Sequence, residues 1–210
     1  MTTPSPDVHE DLARLAAARP SRLADVIATV FHPGNVVLAL LLYVAVRTAE
    51  TFASALAWWA AAVLFIVAIP YGVLRLAIHR GHVDDRHVVR REQRPALFIM
   101  ATTCVVAGLA LLWWRGAPRP MLALVVAMLT GLVAMLLVTL RFKASMHLAV
   151  LAGALTILAI EDWRVAASLS AALPLVGWAR TTVGRHTWRQ VLVGALVGAL
   201  VAGVVYLAIR

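Results

Sequence analysis

Three polar segments interrupt an otherwise apolar chain: HVDDRHVVRREQRP at 82–95, RFKASMH at 141–147 and ARTTVGRHTWRQ at 179–190. Charges beside membrane spans are expensive unless they have a role, so these residue types matter. Arg94, Lys143, Arg180 and Arg185 are cationic donors, Ser145 adds a hydroxyl, and the backbone N–H groups from Ser145 to His147 lie where a helix is expected to begin. Such a set suits an anion with several oxygens. Arginine is planar, always charged and multiply donating, which fits phosphate better than any neutral lipid. His147 and His186 add groups able to transfer a proton or attack an electrophile near neutral pH.

The elements that must position these residues are membrane helices. The chain is 62% hydrophobic, with a mean hydropathy of +0.88. Windows without Asp, Glu, Lys or Arg run from Phe52 to Leu74, Ala96 to Trp114, Met121 to Leu140, Ala144 to Ile160, Val165 to Ala179 and Val191 to Ile209, with a shorter one from Phe31 to Val46. A span needs roughly 20 apolar residues, so the shorter windows are marginal. The expectation is an all-α, polytopic bundle of about six or seven spans. The windows are continuous rather than alternating, which argues against a membrane β-barrel. Residues 1–30 read as a polar and amphipathic segment lying at the interface, without the layout of a signal peptide, and residues 31–210 as a single transmembrane domain carrying all three polar segments.

The net charge of +9 is concentrated in one set of loops: the N-terminal region, His79 to Pro95, Arg141 to Lys143 and Arg180 to Arg189. The excess of Lys and Arg places that set in the cytoplasm, at what is expected to be a cell inner membrane. Successive polar segments are separated by two spans each, so all three can face one pocket. The single cysteine, Cys104, permits no internal disulfide and reads as a small core residue. Most tryptophans fall near window ends, as in interfacial belts. Gly194 and Gly198 form a small-xxx-small pair suited to close helix packing.

Taken together, the segments resemble the type 2 phosphatidic acid phosphatase superfamily, whose motifs are Lys-x6-Arg-Pro, Pro-Ser-Gly-His and Ser-Arg-x5-His-x3-Asp. The chain has His87-x6-Arg94-Pro95, Ala144-Ser145-Met146-His147 and Ala179-Arg180-x5-His186-x3-Gln190. The resemblance implies a metal-free phosphoryl transfer with no cofactor. It would have Arg94, Ser145, the amide near Met146 and Arg180 hold the phosphate, with His87 and Lys143 contributing. It would make His186 the nucleophile, His147 the acid for the departing oxygen, and Gln190 the group that orients His186. Its partners would be a lipid or isoprenoid phosphate and membrane lipids, with no nucleic acid; oligomeric state is left open.

The departures are specific. His87 replaces a lysine, Met146 a glycine, Ala179 a serine, and Gln190 the aspartate. By analogy with hydrolase triads, the acid-to-amide change can lower a rate by roughly 10⁴. Each residue also has a plainer role. Arg180 and Arg185 can snorkel to lipid phosphates, His147 can be a satisfied core histidine, and Gln190 can close a capping box begun by Thr187. Asp84 and Asp85 can pair with Arg86, Arg90 or Arg91; their functional alternative is a magnesium-bridged diphosphate site. Beside the phosphatase expectation stand a prenyl-diphosphate lyase or cyclase using the same grip with magnesium, and a lipid-phosphate binding protein without turnover.

Overall fold

In a computed structural model, residues 21–80 and 94–210 are described, the side chains of 94–98 excepted. Among these residues all regular structure is helical and no strand occurs. In chain order come α1 (Arg22–Val30), α2 (Pro33–Thr48), α3 (Phe52–Val63), a π-helical turn (Leu64–Ala68) and α4 (Ile69–His79). After these come α5 (Arg94–Trp114), α6 (Arg119–Thr139), α7 (Met146–Glu161), α8 (Trp163–Leu169), α9 (Ala172–Thr182) and α10 (Trp188–Ile209).

Among the described residues, four stretches are long and apolar enough to cross a membrane: Arg22–Thr48, Phe52–His79, Arg119–Thr139 and Trp188–Ile209. Ile99–Trp114 and Met146–Glu161 are shorter apolar helices. The all-helical membrane class therefore holds, while six or seven full spans are not shown. One expected window, Val165 to Ala179, is divided between α8 and α9. Pro174 accounts for the break, because it has no N–H and its ring clashes with the carbonyl four residues back, that of Ser170. Ser170 instead caps α8, its hydroxyl donating to the Ala167 carbonyl at 2.8 Å. Pro70 has a similar effect in the second stretch, where the π turn just before it lets the Ile69 N–H reach back to the Leu64 carbonyl.

The chain forms two compact units. One holds residues up to Val37 and Thr130–Val204; the other holds Leu38–Leu129 and Val205–Arg210. In the second, the Trp59 indole N–H donates to the Leu38 carbonyl at 3.1 Å, tying α3 to α2. Gly108 of α5 lies against the Phe65 side chain of the π turn, too close to admit a Cβ without a shift.

The first unit is built around α7. Its Leu148 and Leu151 join Val176 and Ala179 of α9, Val191 of α10, and Ala24 and Ile27 of α1 in one buried cluster. Helix α1 is capped by Ser21, whose hydroxyl accepts from the Ala24 N–H at 3.3 Å. It buries Ala24 and Ile27 in that cluster and leaves Leu23, Val26 and Val30 exposed. On the other flank of α7, Ala144 and Ala149 pack with Met135 of α6. Helix α10 approaches α7 through its glycines: a Cβ at Gly194 would meet the backbone of Ser145, and one at Gly198 the backbone of Ala149. The small-xxx-small pair is thus a backbone-to-backbone crossing. Leu192, Leu196, Leu200 and Val204 form a stripe on α10 that is 57–69% exposed, as a lipid-facing surface requires. Trp113, Trp114, Trp163 and Trp188 are also exposed, near helix ends.

The crossing makes a direct prediction. Gly198→Val should lower the thermal midpoint in detergent by the equivalent of about 1–3 kcal/mol, because the added side chain has only the Ala149 backbone to displace. Leu196→Ala on the exposed stripe should change the midpoint far less. Equal shifts in a thermal-unfolding assay would show that the crossing contributes no special stability.

Candidate functional site

The second and third polar segments meet in the first unit. Helix α9 ends with Val183 as its cap, and the chain turns through Gly184 at a φ of 67°, a left-handed conformation that favours glycine. The Gly184 N–H donates to the Thr181 carbonyl at 3.0 Å, and the His186 N–H donates back to the Arg180 carbonyl at 3.2 Å. That turn folds His186 over the end of the helix carrying Arg180. Helix α10 then starts from a capping box: the Thr187 hydroxyl accepts from the Gln190 N–H at 3.3 Å, and Gln190 Oε1 accepts from the Thr187 N–H at 3.1 Å.

The same Oε1 lies 3.2 Å from Nδ1 of His186. The two readings of Gln190 are therefore one arrangement, in which the cap fixes the amide and the amide fixes the ring. The two segments are joined through the backbone as well, because the Ser145 N–H donates to the Gln190 carbonyl at 3.0 Å. Ser145 is the N-cap of α7, and the amides of Met146 and His147 open that helix without intrahelical acceptors. His147, in the first turn, hydrogen-bonds to the backbone of Ala28 and lies within electrostatic range of Arg180, His32 and His186.

Two groups in this cluster have unmet hydrogen-bonding capacity. Ser145 is fully buried, and its Oγ has no partner among the described residues. Nε of Arg180 is likewise buried and unpartnered there, while Arg185 stands near enough to act on Arg180 electrostatically. Buried polar groups usually find partners, so this hydroxyl and this guanidinium N–H are donors for which the described residues supply no acceptor.

The remaining expected residues fall as follows. Met146 is half-buried, its side chain packed with Met135, Ala144 and Ala149. Lys143 is exposed on the linker before Ser145. Ala179 is fully buried in the apolar cluster with Ala24, Ile27 and Val176, where a serine hydroxyl would need a partner. His87, Asp84 and Asp85 lie outside the described residues, as does the side chain of Arg94, whose backbone starts α5. His32 is one residue the sequence reading passed over. Its ring meets that of His147 edge-on, with centroids 5.6 Å apart. The signal for it was the tripeptide His32-Pro33-Gly34, a helix start with proline at its first position.

An unsatisfied buried hydroxyl lowers stability, so Ser145→Ala should leave the fold intact and raise its thermal midpoint, by the equivalent of about 1 kcal/mol. The same change should weaken protection by inorganic phosphate or vanadate in that assay. A lower midpoint would show that the hydroxyl has a structural partner.

Compared with protein-family models, with curated proteins and with solved structures, the chain matches none.

Proposed function

We propose that the chain is an integral-membrane, metal-independent phosphohydrolase or phosphotransferase that acts on a lipid phosphate or isoprenoid (di)phosphate through a phosphohistidine. The observation that carries this reading is the hydrogen bond between His186 Nδ1 and Gln190 Oε1, in a cluster that also holds His147 and Arg180. An amide oxygen only accepts, so this hydrogen bond calls for the tautomer with the proton on Nδ1, and in that tautomer Nε2 is the nitrogen that would attack phosphorus. The resemblance to the type 2 phosphatidic acid phosphatase motifs assigns the same role to His186.

In the proposed sequence the ester phosphate lies between Arg180, Ser145 and the first amides of α7, whose fixed donors stabilise the spread charge of the transition state. Nε2 of His186 forms a bond to phosphorus as the phosphorus–oxygen ester bond breaks. His147 gives its proton to the departing oxygen. Water then attacks the phosphohistidine, His147 takes a proton from it, and inorganic phosphate leaves. An acceptor alcohol in place of that water gives phosphotransfer. An interfacial α1 ahead of a first span formed by α2, further spans among the shorter apolar helices, and an inner-membrane placement with the site toward the cytoplasm belong to the same proposal.

Phosphoenzyme formation tests the mechanism. Incubation with a radioactive lipid or isoprenoid phosphate should give acid-labile label, absent in His186→Ala and present in His147→Ala, whose turnover should fall by about 10²-fold or more on esters with poor leaving groups. Label persisting in His186→Ala would overturn the assignment. Magnesium-dependent release of pyrophosphate without label would replace it with lyase chemistry.

The capping box also decides which acid should help. Glutamate has the same length as Gln190 and keeps both capping bonds, while adding a charge that stabilises the imidazolium of His186. Gln190→Glu should therefore raise turnover at least about tenfold, and Gln190→Asp, one methylene shorter, by less. Unchanged turnover in a folded Gln190→Glu protein would show that orientation, not charge, limits the rate.

Sidedness is testable at Arg141, which is exposed on the linker leading to the site. With Cys104 replaced by alanine, Arg141→Cys should resist an impermeant maleimide in intact cells and react once they are permeabilised. Reaction in intact cells would place the site on the outer face.

A further inference from the structure

His147 is held from outside the polar segments that contain the rest of the site. Its ring hydrogen-bonds to the backbone of Ala28, near the end of α1. Its ring also meets that of His32, at the α1–α2 corner, at an interplanar angle of 88° and a centroid distance of 5.6 Å. His32 is itself fixed: Nδ1 accepts from the Gly34 N–H at 3.2 Å, and its carbonyl accepts from Asn35 and Val36 as α2 begins. The corner is anchored by α1, whose Ala24 and Ile27 share a buried cluster with Leu148 of α7, and by Phe31 packed against the same cluster. Asn35 ties the two helices, its side-chain amide donating to the carbonyls of Thr29 and Val30 at 3.0 and 3.1 Å.

We infer that His32 is a positioning residue for His147: the Ala28 carbonyl selects the tautomer of the His147 ring, and the edge-on His32 ring fixes its plane. An imidazole with one N–H committed to a carbonyl can lose and regain a proton only at its other nitrogen. With the ring plane also fixed, that nitrogen keeps one direction through a turnover. An aromatic edge-to-face contact favours a particular geometry rather than mere contact, whereas a single hydrogen bond leaves the ring free to rotate about it. The kinetic consequence rests on the phosphatase reading above; the geometric one does not.

Two substitutions in the full-length chain separate the ring contact from the helix cap. His32→Asn keeps a good capping side chain for Gly34 and removes the ring. His32→Phe keeps the ring and removes the cap. The first readout is the tautomer of His147 at a pH where its ring is neutral, followed by nitrogen-15 chemical shifts of that ring in detergent and assigned by its loss in His147→Asn. One tautomer is expected in the parent protein and in His32→Phe, and a mixture in His32→Asn. The second readout is hydrolysis of an alkyl phosphate, whose leaving oxygen needs a proton, beside an aryl phosphate, whose leaving group needs none. For the alkyl ester kcat should fall about tenfold in His32→Asn with KM within about twofold. Aryl-ester turnover should be little changed, and His32→Phe should behave as the parent.

A single His147 tautomer in His32→Asn, or a defect confined to His32→Phe, would overturn the inference and leave His32 as a cap alone. If the parent protein turns over neither ester while His32→Asn still mixes the tautomers, the phosphatase reading falls and the positioning role stands.

Discussion

The arrangement depends on how closely α10 can approach α7. At Gly194 and Gly198 the two backbones are so near that a single Cβ would collide with the carbonyls of Ser145 and Ala149. That proximity lets the Ser145 N–H reach the Gln190 carbonyl at 3.0 Å. In hydrocarbon there is little hydrophobic drive to bring helices together, so close packing and interhelical hydrogen bonds must supply it. Here both act at the same end of the same helix pair. The start of α7 and the start of α10 are thereby joined, and the chemical groups of both segments are attached to that junction.

From this junction the two histidines are supported alike. Behind His186 stands the amide oxygen of Gln190, itself fixed by the Thr187 N–H. Behind His147 stands the backbone of Ala28. In neither case is the described partner a carboxylate. A neutral oxygen orients a ring and sets its tautomer, and it adds little to the stability of an imidazolium. It also avoids burying a charge in a low-dielectric interior, where desolvation can exceed the Coulombic gain.

Much of the third segment was legible in sequence because its rules are local. Thr187 followed three residues later by Gln190 is a capping box by spacing alone, and four residues separate His186 from Gln190, the interval at which helical side chains meet. The glycine pair was legible for the same reason. What was not legible depends on tertiary placement. Val165 to Ala179 contains no Asp, Glu, Lys or Arg and reads as continuous, yet Pro174 near its centre divides it into α8 and α9; hydropathy averages over a residue whose effect is steric. His32 lies more than a hundred residues from His147, and no periodicity links them. Only the docking of α1 against α7 and α9 brings them together.

The placement of Ala179 shows how that docking bears on the site. Ala179 directly precedes Arg180 and is fully buried with Ala24 and Ile27 of α1. A serine there would face an apolar helix, with its hydroxyl needing a partner at a cost of about 1–3 kcal/mol if none were found. Alanine instead lets α1 close over the end of α9. That same closure carries Ala28 and His32 to His147. The apolar contact at Ala179 and the N-terminal support for His147 are therefore parts of one packing arrangement, in which α1 lies against the end of the helix that carries Arg180.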